Sequence, residues 1–193
     1  MTTVQVSQAA EGLPRRAFTI DDLEAMEAAG IVGHDERLEL VGGEIVPMSA
    51  KGSRHEQIKV ALNLLWGRAA PDGFAFAPET GLRLDPYNYL EPDFIVFRTD
   101  RPLKEVEGPD ILLVVEVADS SLDYDLRRKP PTYAHFGVRE LWVIDAVRRQ
   151  TYVHLDPSPD GFARTFVRPG NERLVPAVAP AEFAFTLVDL PAI

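Results

Sequence analysis

Two runs of the chain are apolar without a break: Phe94-Ile95-Val96-Phe97, and Ile111 to Val115. Rich in Val, Ile and Phe, they are expected as strands covered on both faces. The polar, charged residues 98–110 between them suit a hairpin connection. Elsewhere the spacing switches between helical and strand periods. Thr19 with Asp22 three positions on, followed by Ile20, Leu23 and Met26, predicts a short amphipathic helix that stops at Gly30. Arg37 to Val41 and Glu44 to Met48 flank Gly42-Gly43, a hairpin signal. Ser53-Arg54-His55-Glu56 reads as a capping box opening the most regular helix. Its inward stripe is Ile58, Ala61, Leu62, Leu65 and Trp66, extended at the N-terminus by His55, and Pro71-Asp72-Gly73 closes it. Phe74 to Leu84 alternates and predicts one strand containing Glu79. Asp125 to Phe136 is helical in pattern, with Pro130-Pro131 forcing a restart and Gly137 a stop. Leu141 to Ile144 predicts a strand ending at Asp145. Gln150 to Leu155 and Phe162 to Val167 predict a hairpin, and Phe183 to Leu187 a final return.

That order predicts an α/β domain: one mixed β-sheet flanked by helices, with an N-terminal helix and hairpin. It is expected as a single domain over residues 17–193, after a flexible tail at 1–16. A length of 193 residues suits one such domain. The chain has no cysteine, which excludes disulfides and thiolate zinc sites and fits a cytoplasmic location. Its N-terminus lacks the pattern of a secretory signal, and no apolar run is long enough to predict a membrane span. The net charge of −10 changes the picture most. It suits solubility, and it opposes long-range attraction to nucleic acid unless positive charge is gathered locally.

The candidate chemistry lies at the ends of the two apolar runs. If they are antiparallel neighbours, Asp93 sits beside Glu116, although 23 positions separate them (116 − 93). Pro-Asp occurs four times in the chain, so the dipeptide alone means little. Asp110 is the rival to Asp93, but six residues of strand would put it about 20 Å from Glu116, too far to share a metal. A carboxylate closing Ile-Leu-Leu-Val-Val is costly to bury unless paired, protonated or bound to a cation. Two adjacent carboxylates repel until a cation relieves them, and Mg²⁺ favours such oxygen donors. The competing explanation is a strand end reaching solvent, or a salt bridge from Glu116 to Arg127 or Arg128. His34, His135 and His154 show no zinc-ligand spacing.

Pro92-Asp93 followed by Glu116-Val117 resembles the PD-(D/E)XK nuclease superfamily, with its restriction-endonuclease-like fold. More closely, several segments are similar to the bacterial Uma-type restriction endonuclease family. They are Leu38 to Ile45, His55, Glu91-Pro92-Asp93, Val114 to Val117, Asp125…Lys129…Tyr133 and Gly137 to Asp145. The resemblance implies a Mg²⁺-dependent (or Mn²⁺-dependent) endonuclease that hydrolyses phosphodiester bonds, with DNA as the partner. Asp93, Glu116 and the Val117 carbonyl would hold the metal. Lys129 would be the catalytic lysine, because Ala118 stands where the superfamily pattern places one. His55 and Glu79 would line the site, and Arg127 and Arg128 would face the nucleic-acid backbone. A homodimer is expected from the need to cut two strands. The alternative is a nuclease-like fold that has lost catalysis and serves as a binding or assembly module, which Ala118 and the acidic balance favour.

Overall fold

Antiparallel pairing of the two apolar runs places their outer ends together, and the rest of one sheet is built around that pair. The computed structural model describes residues 6–8, 14–33 and 35–191. In chain order the elements are β1 (Val6–Gln8), β2 (Pro14–Arg16), α1 (Ile20–Ala28), β3 (Leu38–Val41), β4 (Glu44–Pro47), α2 (Ser53–Ala69), β5 (Phe74–Pro78), β6 (Leu82–Asp85), β7 (Asn88–Leu90), β8 (Phe94–Arg98), β9 (Ile111–Ala118), α3 (Leu122–Arg127), α4 (Lys129–His135), β10 (Glu140–Asp145), β11 (Gln150–Ser158), β12 (Gly161–Pro169), β13 (Arg173–Leu174) and β14 (Phe185–Thr186). The chain divides into two compact units: Met1–Ser49 with Gly81–Glu91, and Ala50–Thr80 with Pro92–Ile193. Among the described residues no helix is long and apolar enough to cross a membrane.

The first unit holds a four-stranded sheet in the order β4-β3-β7-β6. Its helix α1 has the expected cap: the Asp22 amide donates to the Thr19 hydroxyl, and the Thr19 amide to the Asp22 carboxylate. The β3–β4 turn uses positive φ at Gly42 (59°) and Gly43 (80°), and a Cβ at Gly43 would lie 2.5 Å from that of Ala17. The tail expected at 1–16 lies outside the described residues, except that β1 pairs antiparallel with β2.

The second unit carries a six-stranded sheet in the order β12-β11-β10-β9-β8-β5. It is mixed, because β9 and β10 run parallel while the other pairs are antiparallel. Helices α3 and α4 form the crossover between the parallel strands, as such a connection requires. Strand β9 is buried along its whole length, matching its unbroken apolar run. Helix α2 closes one face through Trp66, whose ring meets Phe76, Phe94, Phe183 and Phe185 at centroid distances of 5.3–6.1 Å. Its indole N–H donates to the Phe183 carbonyl at 3.0 Å, so the aromatic is buried with its polar atom satisfied.

Three local expectations change. Helix α2 has Gly52 as its N-cap and no side-chain cap, so Ser53 is already the first helical residue and the box is one position out of register. Glu56, which would have closed it, is engaged by His55 and Lys59. On the same helix Leu65 is 36% exposed, outside the inward stripe. The strand expected over 74–84 is split. Pro78 has no N–H to continue a ladder, Glu79 turns into the left-handed region, and Leu82 onward joins the other sheet. The expected restart is present: α3 ends at Arg127 and α4 begins at Lys129, with Pro130 and Pro131 in its first turn, where the N–H groups have no helical partner.

His154 on β11 is buried, with Nδ1 2.9 Å from the Thr165 hydroxyl and Nε2 without a hydrogen-bond partner. Burial lowers its pKa to about 4 from the ordinary 6.5. The folded state therefore resists a proton that the unfolded chain accepts. Stability from this site is complete above pH 6.5 and is lost as pH falls through about 4. His154→Gln should flatten the fall in thermal midpoint between pH 7 and pH 4. An unchanged slope would remove His154 from the acid response.

Candidate active site

Strands β8 and β9 pair with Phe94 opposite Val115, so one step outward Asp93 comes level with Glu116. Both carboxylates are buried, at 7% and 3% exposure. Asp93 precedes β8 directly and receives its contacts from two elements. The Val117 amide donates to its Oδ2 at 2.8 Å, and Nε2 of His55, from the first turn of α2, lies 2.8 Å from Oδ1. The Lys51 ammonium is 3.9 Å from the same Oδ1. Burial pushes the Asp93 carboxyl up, but the hydrogen bond and charge of His55, the Val117 amide and Lys51 outweigh it and hold it below its ordinary value.

Glu116 meets α4. Its Oε1 accepts from the Tyr133 hydroxyl at 2.6 Å and lies 3.1 Å from Nζ of Lys129. That ammonium also reaches Oδ1 of Asp125 at 3.3 Å and sits 5.6 Å from the centre of the Tyr124 ring. Lys129 is therefore a buried cation enclosed by two carboxylates and an aromatic face. Such a pair is retained when the charges answer each other; removing one member leaves the others stranded. Arg127 and Arg128 are both exposed, and Arg127 forms an ion pair with Asp123 at 3.0 Å.

Glu79 lies beside Asp93 through its backbone, its amide donating to the Asp93 carbonyl at 3.1 Å. Its φ of 49° is unusual for a residue with a side chain and costs about 1–3 kcal/mol. The turn points its carboxylate at two lysines, Lys51 and Lys59, the second at 2.8 Å. His55 bridges Glu56 (3.2 Å) and Asp93, which ties this group to the first carboxylate. Lys51, Glu56 and Lys59 escaped the assignment from sequence, and Asp125 and Tyr133, which carry part of the family resemblance, had no role there. Asp125, Lys129 and Tyr133 recur every four positions, a spacing that signals one face. Lys51 had no such signal, because it lies in a connection. His34 is outside the described residues, and no three His, Asp or Glu side chains among the described residues cluster as a ready metal cage.

The mixed sheet flanked by helices is restriction-endonuclease-like in fold, with Asp93 and Glu116 at the adjoining ends of β8 and β9 and Lys129 of α4 in contact with Glu116. A family model described as "Uma2: Putative restriction endonuclease" matches residues 20–188, and the chain belongs to that family. Its fold is similar to the crystal structure of a "putative nuclease belonging to DUF820" from Anabaena variabilis ATCC 29413. The TM-score is 0.65 at 15% identity, over 90% of this chain and 97% of that one. The type IIG restriction endonuclease BpuSI aligns at a TM-score of 0.40 and 17% identity, over 70% of this chain and 16% of that one, too slight a likeness to bear on the fold. No curated protein matches the chain.

Proposed function

We propose that this protein is a Mg²⁺-dependent endonuclease acting on DNA. The observation that carries the reading is that two buried carboxylates, Asp93 and Glu116, are level with each other at the ends of adjacent strands, with Lys129 in contact with Glu116. In a strand the N–H and C=O of one residue point the same way. The Val117 amide faces Asp93, so its carbonyl shares that side. Two carboxylates and a peptide oxygen are hard donors. They suit Mg²⁺ or Mn²⁺, which take one or two protein carboxylates and leave room for water and phosphate, better than zinc. Asp93, Glu116 and the Val117 carbonyl would hold the ion, which when bound supplies Lewis acidity toward a phosphate oxygen.

The chain's own residues orient that donor set. His55 and the Val117 amide keep Asp93 ionised and fixed in place; Tyr133 and Lys129 fix Glu116. Lys129 holds its positive charge 3.1 Å from Glu116, where it would act on the developing charge through the carboxylate and metal rather than by contact. In the hydrolysis a water oxygen bonds to phosphorus and one phosphorus–ester bond breaks. The water proton ends on the departing oxygen, leaving a phosphomonoester and a hydroxyl. The exposed Arg127 and Arg128 are the backbone-facing cations of this reading, and a two-fold dimer would address both strands. A binding module without catalysis is the second reading, favoured by the enclosure of Lys129 between carboxylates.

Incubation of supercoiled plasmid with the protein and Mg²⁺ or Mn²⁺ should give nicked and linear products, and EDTA should prevent them. Retained DNA binding with no cleavage in either metal would select the module instead.

A further inference from the structure

We propose that Lys51 is a second catalytic lysine, the one that touches the scissile phosphate. The inference rests on the nuclease reading and deepens it. Three lysines surround the two carboxylates, and the geometry separates their roles. Lys129 keeps 5% side-chain exposure, with its ammonium 3.1 Å from Glu116 and 3.3 Å from Asp125. To reach a phosphate it would have to leave a buried pair. Lys59, 14% exposed, is held at 2.9 Å by Glu56 and at 2.8 Å by Glu79, two carboxylates outside the proposed metal set. Lys51 differs from both. Its side chain is 16% exposed, its ammonium is tied to Glu79, and it lies 3.9 Å from Oδ1 of Asp93. It is therefore next to the proposed metal ligand and within reach of solvent, the two conditions a phosphate-facing cation must meet.

The backbone explains how it is placed there. Lys51 immediately precedes Gly52, the extended N-cap of α2, and a Cβ at that glycine would lie 2.2 Å from Oδ2 of Asp119. Close approach of Gly52 to Asp119 thus seats the Lys51 connection beside the outer end of β9. Glu79 completes the placement. Its left-handed backbone, hydrogen-bonded to the Asp93 carbonyl, aims the carboxylate at Lys51 and so holds the ammonium near Asp93. Glu79 is a positioning residue here, and its strained conformation acquires a purpose that a surface ion pair would not need. A carboxylate on a flexible loop could have paired the lysine without left-handed backbone.

The test measures nucleic-acid binding separately from cleavage. Anisotropy of a fluorescent duplex oligonucleotide, titrated in Ca²⁺ at several salt concentrations, reports phosphate contacts without turnover. Lys51→Ala should lower the salt slope of log K by about 0.9, the share of one phosphate contact on a duplex. Cleavage in Mn²⁺ under single turnover should fall about 100-fold, while Mn²⁺ affinity by calorimetry stays near that of the parent. Lys51→Arg should restore the salt slope, and Lys104→Ala, on an exposed connection, should change nothing. Glu79→Gln should lower cleavage with Lys51 present and add little once Lys51 is alanine. A Lys51→Ala protein with the parent's salt slope and cleavage overturns the role, as does one that loses Mn²⁺ affinity, which would make Lys51 a support for Asp93. If the parent cleaves DNA and Lys51→Ala cleaves equally well, only this inference falls. If the parent neither binds nor cleaves nucleic acid, the nuclease reading falls with it.

Discussion

Glu116→Ala should abolish Mn²⁺ binding in titration calorimetry and reduce DNA cleavage by about 10³-fold or more, beyond the loss of a single transition-state donor. The side chain is one of two buried carboxylates level with each other across β8 and β9. Mg²⁺ and Mn²⁺ bind weakly to one carboxylate and keep most of their waters, so removing either donor dismantles the set. The substitution also strands Lys129 beside Asp125, so folding must be checked alongside. Glu116→Gln keeps the shape and an acceptor for Tyr133 while removing the charge. Both variants should fail to bind the metal. Parent-like calorimetry for the pair, or for the Asp93, Glu116 double alanine, would show that the ion binds elsewhere.

Lys129→Ala is the second change of large effect, and it acts on two quantities. Cleavage should drop about 100-fold or more if the ammonium answers charge developing on the phosphate. Stability should drop as well, because Glu116 and Asp125 lose the cation between them in a buried site. Removing one member of such a group costs about 3–5 kcal/mol, a large part of the roughly 5–15 kcal/mol that holds a domain folded. A metal ion bound by Glu116 would replace part of the missing charge. Mn²⁺ should therefore raise the thermal midpoint of Lys129→Ala more than that of the parent, since a ligand stabilises the state that binds it. Equal metal-induced shifts, with cleavage intact, would confine Lys129 to packing.

Competing electrostatic demands explain why the acidic balance of the chain does not decide its chemistry. The net charge of −10 is a property of the whole surface, and it sets long-range attraction. At the site, four cationic or ionisable side chains, Lys51, His55, Lys59 and Lys129, converge on five carboxylates: Glu56, Glu79, Asp93, Glu116 and Asp125. A phosphate approaching there meets that local arrangement, at distances where screening by salt has little effect.

The sequence by itself determined the strand pair and what it brings together. Two unbroken apolar runs joined by a hairpin-length connection suit adjacent antiparallel strands, and that pairing aligns Asp93 with Glu116. It also determined α1 with its capping box, the glycine turn of β3 and β4, and the inward face of α2 that carries His55, because each rests on contacts a few residues apart. The exceptions lie where a local signal met a distant constraint. The capping box at Ser53 gave way to Gly52 as N-cap, at a point where Gly52 lies close to the Asp119 side chain. The strand through Glu79 broke because Pro78 ends one ladder and Leu82 begins another in a different sheet. Only the tertiary structure decided which lysines attend the carboxylates. A lysine's long stem and its place in a loop or helix start leave no periodic trace, so the enclosure of Lys129 by Asp125 and the approach of Lys51 to Asp93 were set by how α4, β9 and the turn after β5 pack, and by the cost of leaving a buried charge unanswered.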